Sequence, residues 1–158
     1  MSFEKLGIIK PLLSAIKNLG YEKPTTIQTR AIPLVLAKSD VFATAQTGTG
    51  KTAAFGLPML QRLRNVPSDG RVIRGLIISP TRELSIQIYE DLQNYAKNMS
   101  LNIAVFVGGK DLETQQRILK EGVDIVIATP GRIMEHVDKG LNLSHVEIFV
   151  LDEADRML

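Results

Sequence analysis

The sequence predicts an α/β domain in which a mostly parallel sheet is flanked by helices. Short runs rich in Val, Ile, Leu and Phe recur along the chain, and they are nearly continuous in apolar residues, which is typical of strands buried on both faces. Segments with helical periodicity lie between these runs, and strands that alternate with helices form parallel sheets. The predicted strands are 41–44, 76–79, 103–107, 125–128 and 148–151.

Six helices are predicted, and the clearest one carries Leu84, Ile88 and Leu92 at intervals of four residues, which places them on one face. Two of the other helices contain a proline in their interior. Because proline lacks the amide hydrogen and crowds the preceding turn, Pro33 and Pro58 are expected to kink or break those helices. The predicted helices are 6–19, 27–37, 51–64, 82–99, 112–121 and 132–137.

The composition is that of one ordinary globular domain. The chain has 158 residues, of which 44% are hydrophobic and 23% charged. We expect a helical preamble over 1–40 and a core over 41–158. A net charge of +2 permits a phosphate-rich partner without requiring one. The sequence has no cysteine, which excludes disulfides and fits a reducing cytoplasm. No signal peptide and no apolar run of membrane-spanning length are recognisable, so no membrane partner is expected.

A glycine-rich loop follows the first predicted strand. Residues 45–52 match the spacing of a Walker A loop, except that alanine replaces the first glycine. Gly48 and Gly50 would let backbone N–H groups surround a phosphate. Lys51 would bring its charge to the β- and γ-phosphates, and Thr52 would offer a hydroxyl to Mg²⁺. The structural alternative is a glycine turn that only caps a helix.

Acidic residues follow the last predicted strand. Asp152 stands at the carboxyl end of that strand, where enzymes with a phosphate loop hold Mg²⁺, and Glu153 beside it could polarise an attacking water. Alone, these acids could merely complement a helix dipole. After a Walker A loop, the two halves of one site stand in the right order. His136 and His145 belong to no motif, and both are expected at the surface.

With these motifs in place, the sequence resembles the DEAD-box family of ATP-dependent RNA helicases, and the fold this implies is the RecA-like domain of the P-loop NTPases. Residues 152–155 read Asp-Glu-Ala-Asp, and the alanine at the start of the loop is usual in that family. The short preamble resembles bacterial helicases of the RhlE kind. The other matching segments are the Q motif 20–28, motif Ia 80–84, the glycine doublet 108–109 and motif Ib 129–132.

The resemblance implies an ATP site with Mg²⁺ as cofactor. Gln28 would read the adenine, because a carboxamide can donate and accept at once. Tyr21 and Phe3 would pack near the base, although Phe3 could instead fasten the N-terminal arm. Lys51, Asp152 and Glu153 would be catalytic, and Thr52 and Asp152 would hold the metal. The loop residues that would bind the nucleotide are Gln46, Thr47, Gly48, Thr49, Gly50, Lys51 and Thr52.

The resemblance also implies RNA as a partner. Motifs Ia, GG and Ib each follow a predicted strand, so they should share the carboxyl edge of the sheet, where open α/β folds bind ligands. Their hydroxyls, backbone N–H groups and guanidinium groups suit phosphate and sugar oxygens, so recognition should be independent of RNA sequence. The structural alternative is that these turns only cap helices. The implied RNA-binding residues are Thr81, Arg82, Gly109, Thr129, Gly131 and Arg132.

Two further functions stay open: a non-catalytic, nucleotide-dependent RNA-binding module, and another P-loop NTPase such as a recombinase or DNA helicase, which the Q motif disfavours.

The family's motif III and second RecA-like domain are not in these 158 residues, and that domain would be a partner in the parent protein. We therefore expect the chain alone to be inactive as a helicase. In RecA-like folds the strand that leads to motif III lies between the strands that correspond to 41–44 and 148–151, and an unfilled gap there would leave buried backbone groups unpaired. We therefore expect that these two strands pair directly, that another chain or segment fills the gap, or that the chain is a piece of a longer ordered protein.

Overall fold

The computed structural model describes residues 1–45, 48 and 50–157, and these form two compact units. The first unit comprises Met1–Asn65 and Asp91–Ser100, and the second comprises Val66–Glu90 and Leu101–Leu158. Among the described residues, no helix has the length and apolar character needed to cross a membrane.

The first unit is helical. Helix α1 (Lys10–Asn18) buries Leu12 and Ile16, which lie one turn apart on its inner face. Helix α2 (Thr26–Leu36) begins behind a cap formed by Thr25, and helix α3 (Lys51–Arg62) begins at the glycine-rich loop. The last residues of helix α4 (Arg82–Tyr95) complete the unit.

The second unit is built on a parallel sheet. Its strands are β1 (Gly75–Ile78), β2 (Ile103–Phe106), β3 (Ile125–Ala128) and β4 (Ile148–Leu151), which lie in the order β2-β3-β1-β4. Helix α5 (Leu112–Glu121) precedes β3, helix α6 (Pro130–Asp138) follows it, and a short 3₁₀ helix (Ala154–Met157) follows β4. The buried residues of the sheet core are Ile73, Leu76, Ile78, Ala104, Phe106, Val123, Val126, Ala128 and Ile133.

The strands differ in how far they are buried. All four residues of the central strands β1 and β3 are buried, and three of the four residues of the edge strand β2 are buried as well. β4 lies at the edge, and its Phe149 and Leu151 are exposed. The predicted parallel α/β fold is confirmed, and four of the predicted strands are found within one residue of their predicted bounds.

The predicted strand at 41–44 is wrong. The backbone there has no regular structure, its residues are exposed, and the ring of Phe42 is 96% exposed. A strand needs a hydrogen-bonded neighbour, and in the part of the chain that the structure describes no strand pairs with this segment. The direct pairing with 148–151 considered from the sequence is therefore absent as well.

Pro33 and Pro58 do not break their helices, since α2 and α3 both continue past them, which leaves a kink as the other expected outcome. The expectation for His136 is wrong. His136 is not a surface residue: it is 1% exposed, because it lies one turn after the buried Ile133 on the inner face of α6. His145 is exposed, as predicted.

Candidate functional site

Gln28 joins the Q motif to the glycine-rich loop. Its backbone N–H donates to Thr25 Oγ1 at 3.4 Å, and its Oε1 accepts from the Thr25 N–H at 2.9 Å, which forms a reciprocal capping box at the start of α2. The Nε2 of the same carboxamide donates to the Gly50 carbonyl at 3.1 Å. A carboxamide has two hydrogens and two lone pairs on the oxygen. Gln28 therefore keeps one donor and one acceptor site beyond these contacts.

Gly50 has to be glycine at this junction. It caps α3 in the left-handed conformation, with φ at +83°, which other residues rarely adopt. A Cβ added to Gly50 would lie 2.3 Å from Gln28 Nε2. Any side chain here would displace the carboxamide, so the glycine permits the contact between the two motifs.

Lys51 and Thr52 are the first two residues of α3, and both are half-buried. The first turn of this helix contains no acidic residue. No carboxylate of this turn therefore neutralises the positive end of the helix dipole, which favours binding of an anion such as phosphate there. Gly48 is exposed, with φ at +87°. The predicted loop residues Gln46, Thr47 and Thr49 lie outside the described residues.

An aromatic cluster anchors the other side of the Q motif. Phe3 is buried, and its ring centroid lies 6.5 Å from that of Tyr21. The Tyr21 hydroxyl forms a hydrogen bond of 2.8 Å with the hydroxyl of Tyr95, which is itself buried. Burial raises the pKa of Tyr95, so its hydroxyl stays protonated. Tyr95 lies in the predicted helix 82–99, and the sequence pattern gives no sign of this polar contact.

In the second unit, motif Ia meets the glycine doublet at the carboxyl edge of the sheet. Thr81 Oγ1 accepts from the Leu84 N–H at 3.1 Å and so caps the start of α4. The Arg82 guanidinium lies against Gly109: a Cβ added there would be 2.7 Å from Arg82 Nη1. Gly109 also has φ at +83°, so the turn depends on glycine.

Motif Ib is tied to the same turn. Arg132 Nη1 donates to the Lys110 carbonyl at 3.0 Å and to Gln115 Oε1 at 3.2 Å, and its Nε lies 3.4 Å from Glu135 Oε1. Thr129 precedes α6 as its cap residue, but its hydroxyl makes no capping hydrogen bond. Pro130, the first residue of α6, has no N–H, so the exposed Gly131 provides the first N–H of this turn that could reach another acceptor.

The acidic motif follows β4 directly. The Asp152 N–H donates to the Ile78 carbonyl at 2.9 Å, so the residue continues the ladder with β1, and it is only 4% exposed. Glu153 has φ at +51°, a conformation that costs a residue with a side chain about 1–2 kcal/mol. Its Oε2 accepts from Arg156 Nη1 at 3.0 Å. This ion pair was not predicted, although the spacing of three residues permits it.

Within each unit, then, the structure brings the predicted motif residues together. Gln28 and Gly50 meet in the first unit, and the turns with Arg82, Gly109 and Arg132 meet in the second. Asp152 and Glu153 belong to the second unit, whereas Lys51 and Thr52 belong to the first. Among the described residues, no group of three or more His, Asp or Glu side chains could hold a metal ion.

The sheet and the glycine turn before α3 define the class of this protein, a RecA-like α/β domain of the kind found in RNA helicases. The family model described as DEAD/DEAH box helicase matches residues 25–158, and the chain belongs to that family.

Relatives match nearly the whole chain. It is 46% identical over 159 residues to the ATP-dependent RNA helicase CshA of Limosilactobacillus reuteri, covering 100% of this chain and 31% of that protein. It is also 46% identical to the probable ATP-dependent RNA helicase ddx27 of Dictyostelium discoideum, covering 99% of this chain and 20% of that protein. The chain thus spans a third or less of the length of these relatives.

Solved structures agree on the fold. The crystal structure of the RNA helicase Prp28 from Chaetomium thermophilum bound to ADP superposes with a TM-score of 0.91 at 38% identity, covering 99% of this chain and 39% of that one. A hypothetical ATP-dependent RNA helicase from Sulfolobus tokodaii gives a TM-score of 0.84 at 34% identity, covering 93% of this chain and 42% of that one.

Proposed function

We propose that this chain is the ATP- and RNA-binding front domain of a longer RNA helicase, which couples ATP binding and hydrolysis to local unwinding of RNA duplexes. The observation that carries the proposal is the hydrogen bond between Gln28 and Gly50. It joins the residue that would read the base to the turn that would hold the phosphates. A site for an adenine nucleotide needs these two functions side by side.

Mg²⁺ would be held by Thr52 and Asp152. A hydroxyl and a buried carboxylate are the hard oxygen ligands that this ion prefers, and Mg²⁺ takes its remaining ligands from phosphates and water. The lack of a larger acidic cluster among the described residues fits that mode of binding. When bound, the ion neutralises charge on the β- and γ-phosphates. Lys51 would bind the same phosphates, and Glu153 would orient the attacking water.

RNA would lie along the carboxyl edge of the sheet, held by its phosphates and sugars. The support is that the turns of motifs Ia, GG and Ib contact one another there through Arg82 and Arg132. Thr129 and Gly131 add an uncapped helix start. The parent's second RecA-like domain would complete the RNA cleft and supply an arginine finger. A cytoplasmic location is supported by the lack of cysteine in the sequence.

Adenine selectivity tests the nucleotide half of the proposal. ATP, ADP, GTP and GDP would be titrated against this chain and its Gln28→Ala variant by calorimetry. We expect adenine nucleotides to bind better, and Gln28→Ala to remove about 1–3 kcal/mol of that discrimination. Arg30→Ala, an exposed change on the same helix, is the control. Equal affinity of the unaltered chain for ATP and GTP would refute the assignment of Gln28.

The ion pair between Glu153 and Arg156 favours a second candidate, a nucleotide-dependent RNA-binding module without catalysis. Phosphate release by the longer protein separates the two. If Glu153 polarises water, Glu153→Gln should lower turnover by about 10²–10⁴-fold while ATP still binds. A parent protein that binds ATP and RNA, but whose slow hydrolysis is unchanged by Glu153→Gln, would instead support the binding module.

A further inference from the structure

Gln115 lies beneath two of the motif turns, where it is only 4% exposed and both polar atoms of its side chain contact other residues. From α5, its Nε2 donates to the Val107 carbonyl at 3.3 Å. Its Oε1 accepts from Arg132 Nη1 at 3.2 Å and pairs with His136 Nε2 at 2.8 Å. One carboxamide therefore connects the chain after β2 with two residues of α6.

The chemistry of these contacts requires an amide. Toward Val107 the side chain must donate, and toward Arg132 and His136 it must accept. A carboxylate cannot donate to the Val107 carbonyl, and an ammonium group cannot accept from Arg132 and His136. Because Oε1 carries no hydrogen, His136 Nε2 must carry one. In the neutral ring, Nδ1 is then an acceptor, and it is buried without a hydrogen-bond partner among the described residues.

The histidine is held in this state by its surroundings. Its ring centroid lies 4.9 Å from that of Phe106, inside the sheet core. Burial lowers the pKa of His136, and the Arg132 guanidinium acts in the same direction against a weaker opposing effect of Glu135. The neutral ring with its hydrogen on Nε2 is therefore the state that Gln115 binds.

The Arg132 guanidinium lies between this buried pair and the candidate RNA surface. Its side chain is only 10% exposed, and Nη1 donates both to Gln115 and to the Lys110 carbonyl. Lys110 follows Gly109, whose turn lies against Arg82. Gln115 thus holds a side chain that connects the start of α6 to the glycine turn.

We propose that Gln115 is a positioning residue of the phosphate-binding edge: by orienting Arg132, it sets the spacing between the Gly109 turn and the first turn of α6. Phosphates bound by both turns would have to match that spacing, so a loose Arg132 would weaken every such contact at once. The effect on RNA affinity rests on the proposed RNA-binding function. The hydrogen position on the His136 ring, which ¹⁵N spectra measure, rests on the geometry alone.

The first experiment compares the 158-residue chain with Gln115→Met, which keeps length and apolar bulk but removes all the hydrogen bonds. We expect ¹⁵N spectra of the unaltered chain to show His136 with its hydrogen on Nε2. In Gln115→Met that preference should fall, the amide signals of Gly109 and Lys110 should shift, and affinity for a labelled uridine oligonucleotide should drop about tenfold. ATP affinity should not change. Gln116→Met, the neighbouring half-buried position on α5, is the matched control.

A conservative variant distinguishes positioning from packing. Gln115→Glu keeps an acceptor for Arg132 and His136, loses the bond to Val107 and adds a negative charge beside the Arg132 guanidinium. If positioning is the role, Gln115→Glu should keep the hydrogen on His136 Nε2 and bind RNA better than Gln115→Met. If the side chain serves only packing, the order should reverse, because a buried charge is costlier than a thioether.

The outcomes separate this inference from the function on which it rests. An unaltered chain that binds no RNA would contradict the proposed function, while the His136 tautomer and the Gly109 and Lys110 signals would still test positioning. A folded Gln115→Met with normal RNA affinity, or an unaltered chain with the hydrogen on Nδ1, would overturn the inference. If Gln115→Met does not fold, the His136 tautomer in the unaltered chain and in Gln115→Glu tests the inference: a hydrogen on Nε2 in both supports it, and a hydrogen on Nδ1 overturns it.

Discussion

The two edges of the sheet in the second unit use polar residues in opposite ways. At the amino edge, Asp124 is fully buried: its Oδ1 accepts from Arg74 Nη2 at 3.0 Å, and its Oδ2 accepts from the Asn102 N–H at 2.8 Å and from Arg71 Nη1. This polar cluster ties the starts of three neighbouring strands together. At the carboxyl edge, Thr81 caps a helix and Arg82 is exposed, although Asp152 and Gln115 are buried there. The amino edge thus carries a buried ion-pair cluster, whereas the carboxyl edge is the binding edge of the proposed function.

Removing the buried carboxylate of Asp124 should cause the largest loss of stability. Asp124→Ala would leave Arg71 and Arg74 without their shared counter-ion, and breaking a buried ion pair costs about 3–5 kcal/mol. Urea unfolding should show that loss, while Asp138→Ala, an exposed change on α6, should change the free energy of unfolding by about 0.5 kcal/mol or less. A loss below about 1 kcal/mol for Asp124→Ala would remove the basis of the comparison.

Acid should have a smaller effect, through His136. Burial and Arg132 lower its folded-state pKa, and Glu135 opposes them, so the unfolded chain binds a proton more readily than the folded one. The free energy of unfolding should therefore be undiminished above the unfolded pKa of about 6.5 and should fall as the pH drops below it, by at most about 1.4 kcal/mol per pH unit.

The two histidines supply a matched pair for that measurement. His136→Gln should flatten this part of the pH profile, whereas His145→Gln, at an exposed position, should leave it unchanged. Urea unfolding at a series of pH values would measure both. If the profile keeps its slope in His136→Gln, another group titrates there.

A substitution at the proposed binding edge should have the smallest effect on stability. Arg82→Ala should change the free energy of unfolding by about 0.5 kcal/mol or less, because Arg82 is exposed where it lies against Gly109. RNA affinity should fall, and the slope of log affinity against log salt should shrink by about 0.7 for the lost phosphate contact. An Arg82→Ala chain that unfolds early but binds RNA normally would contradict the assignment of the two edges.

Sequence patterns predicted what depends on local chemistry. The apolar runs gave four strands, and the glycine loop and the motif turns pointed to residues that the structure brings into contact within each unit. The prediction of a strand at 41–44 is wrong because strand formation depends on a hydrogen-bonded neighbouring strand, which no local pattern reveals. Asp124, Gln115 and His136 are far apart from their partners in sequence, so their burial and contacts could be found only in three dimensions.

The exposed side of β4 has a practical consequence for handling the protein. Phe149 and Leu151 project from one face of a strand that, among the described residues, is hydrogen-bonded on one side only. An uncovered apolar strand edge is a template for the edge of another molecule. Concentrated solutions of this chain should therefore self-associate, and light scattering should show particle size rising with concentration. Replacing Phe149 with lysine should suppress that rise, because a charge on an edge strand opposes such pairing.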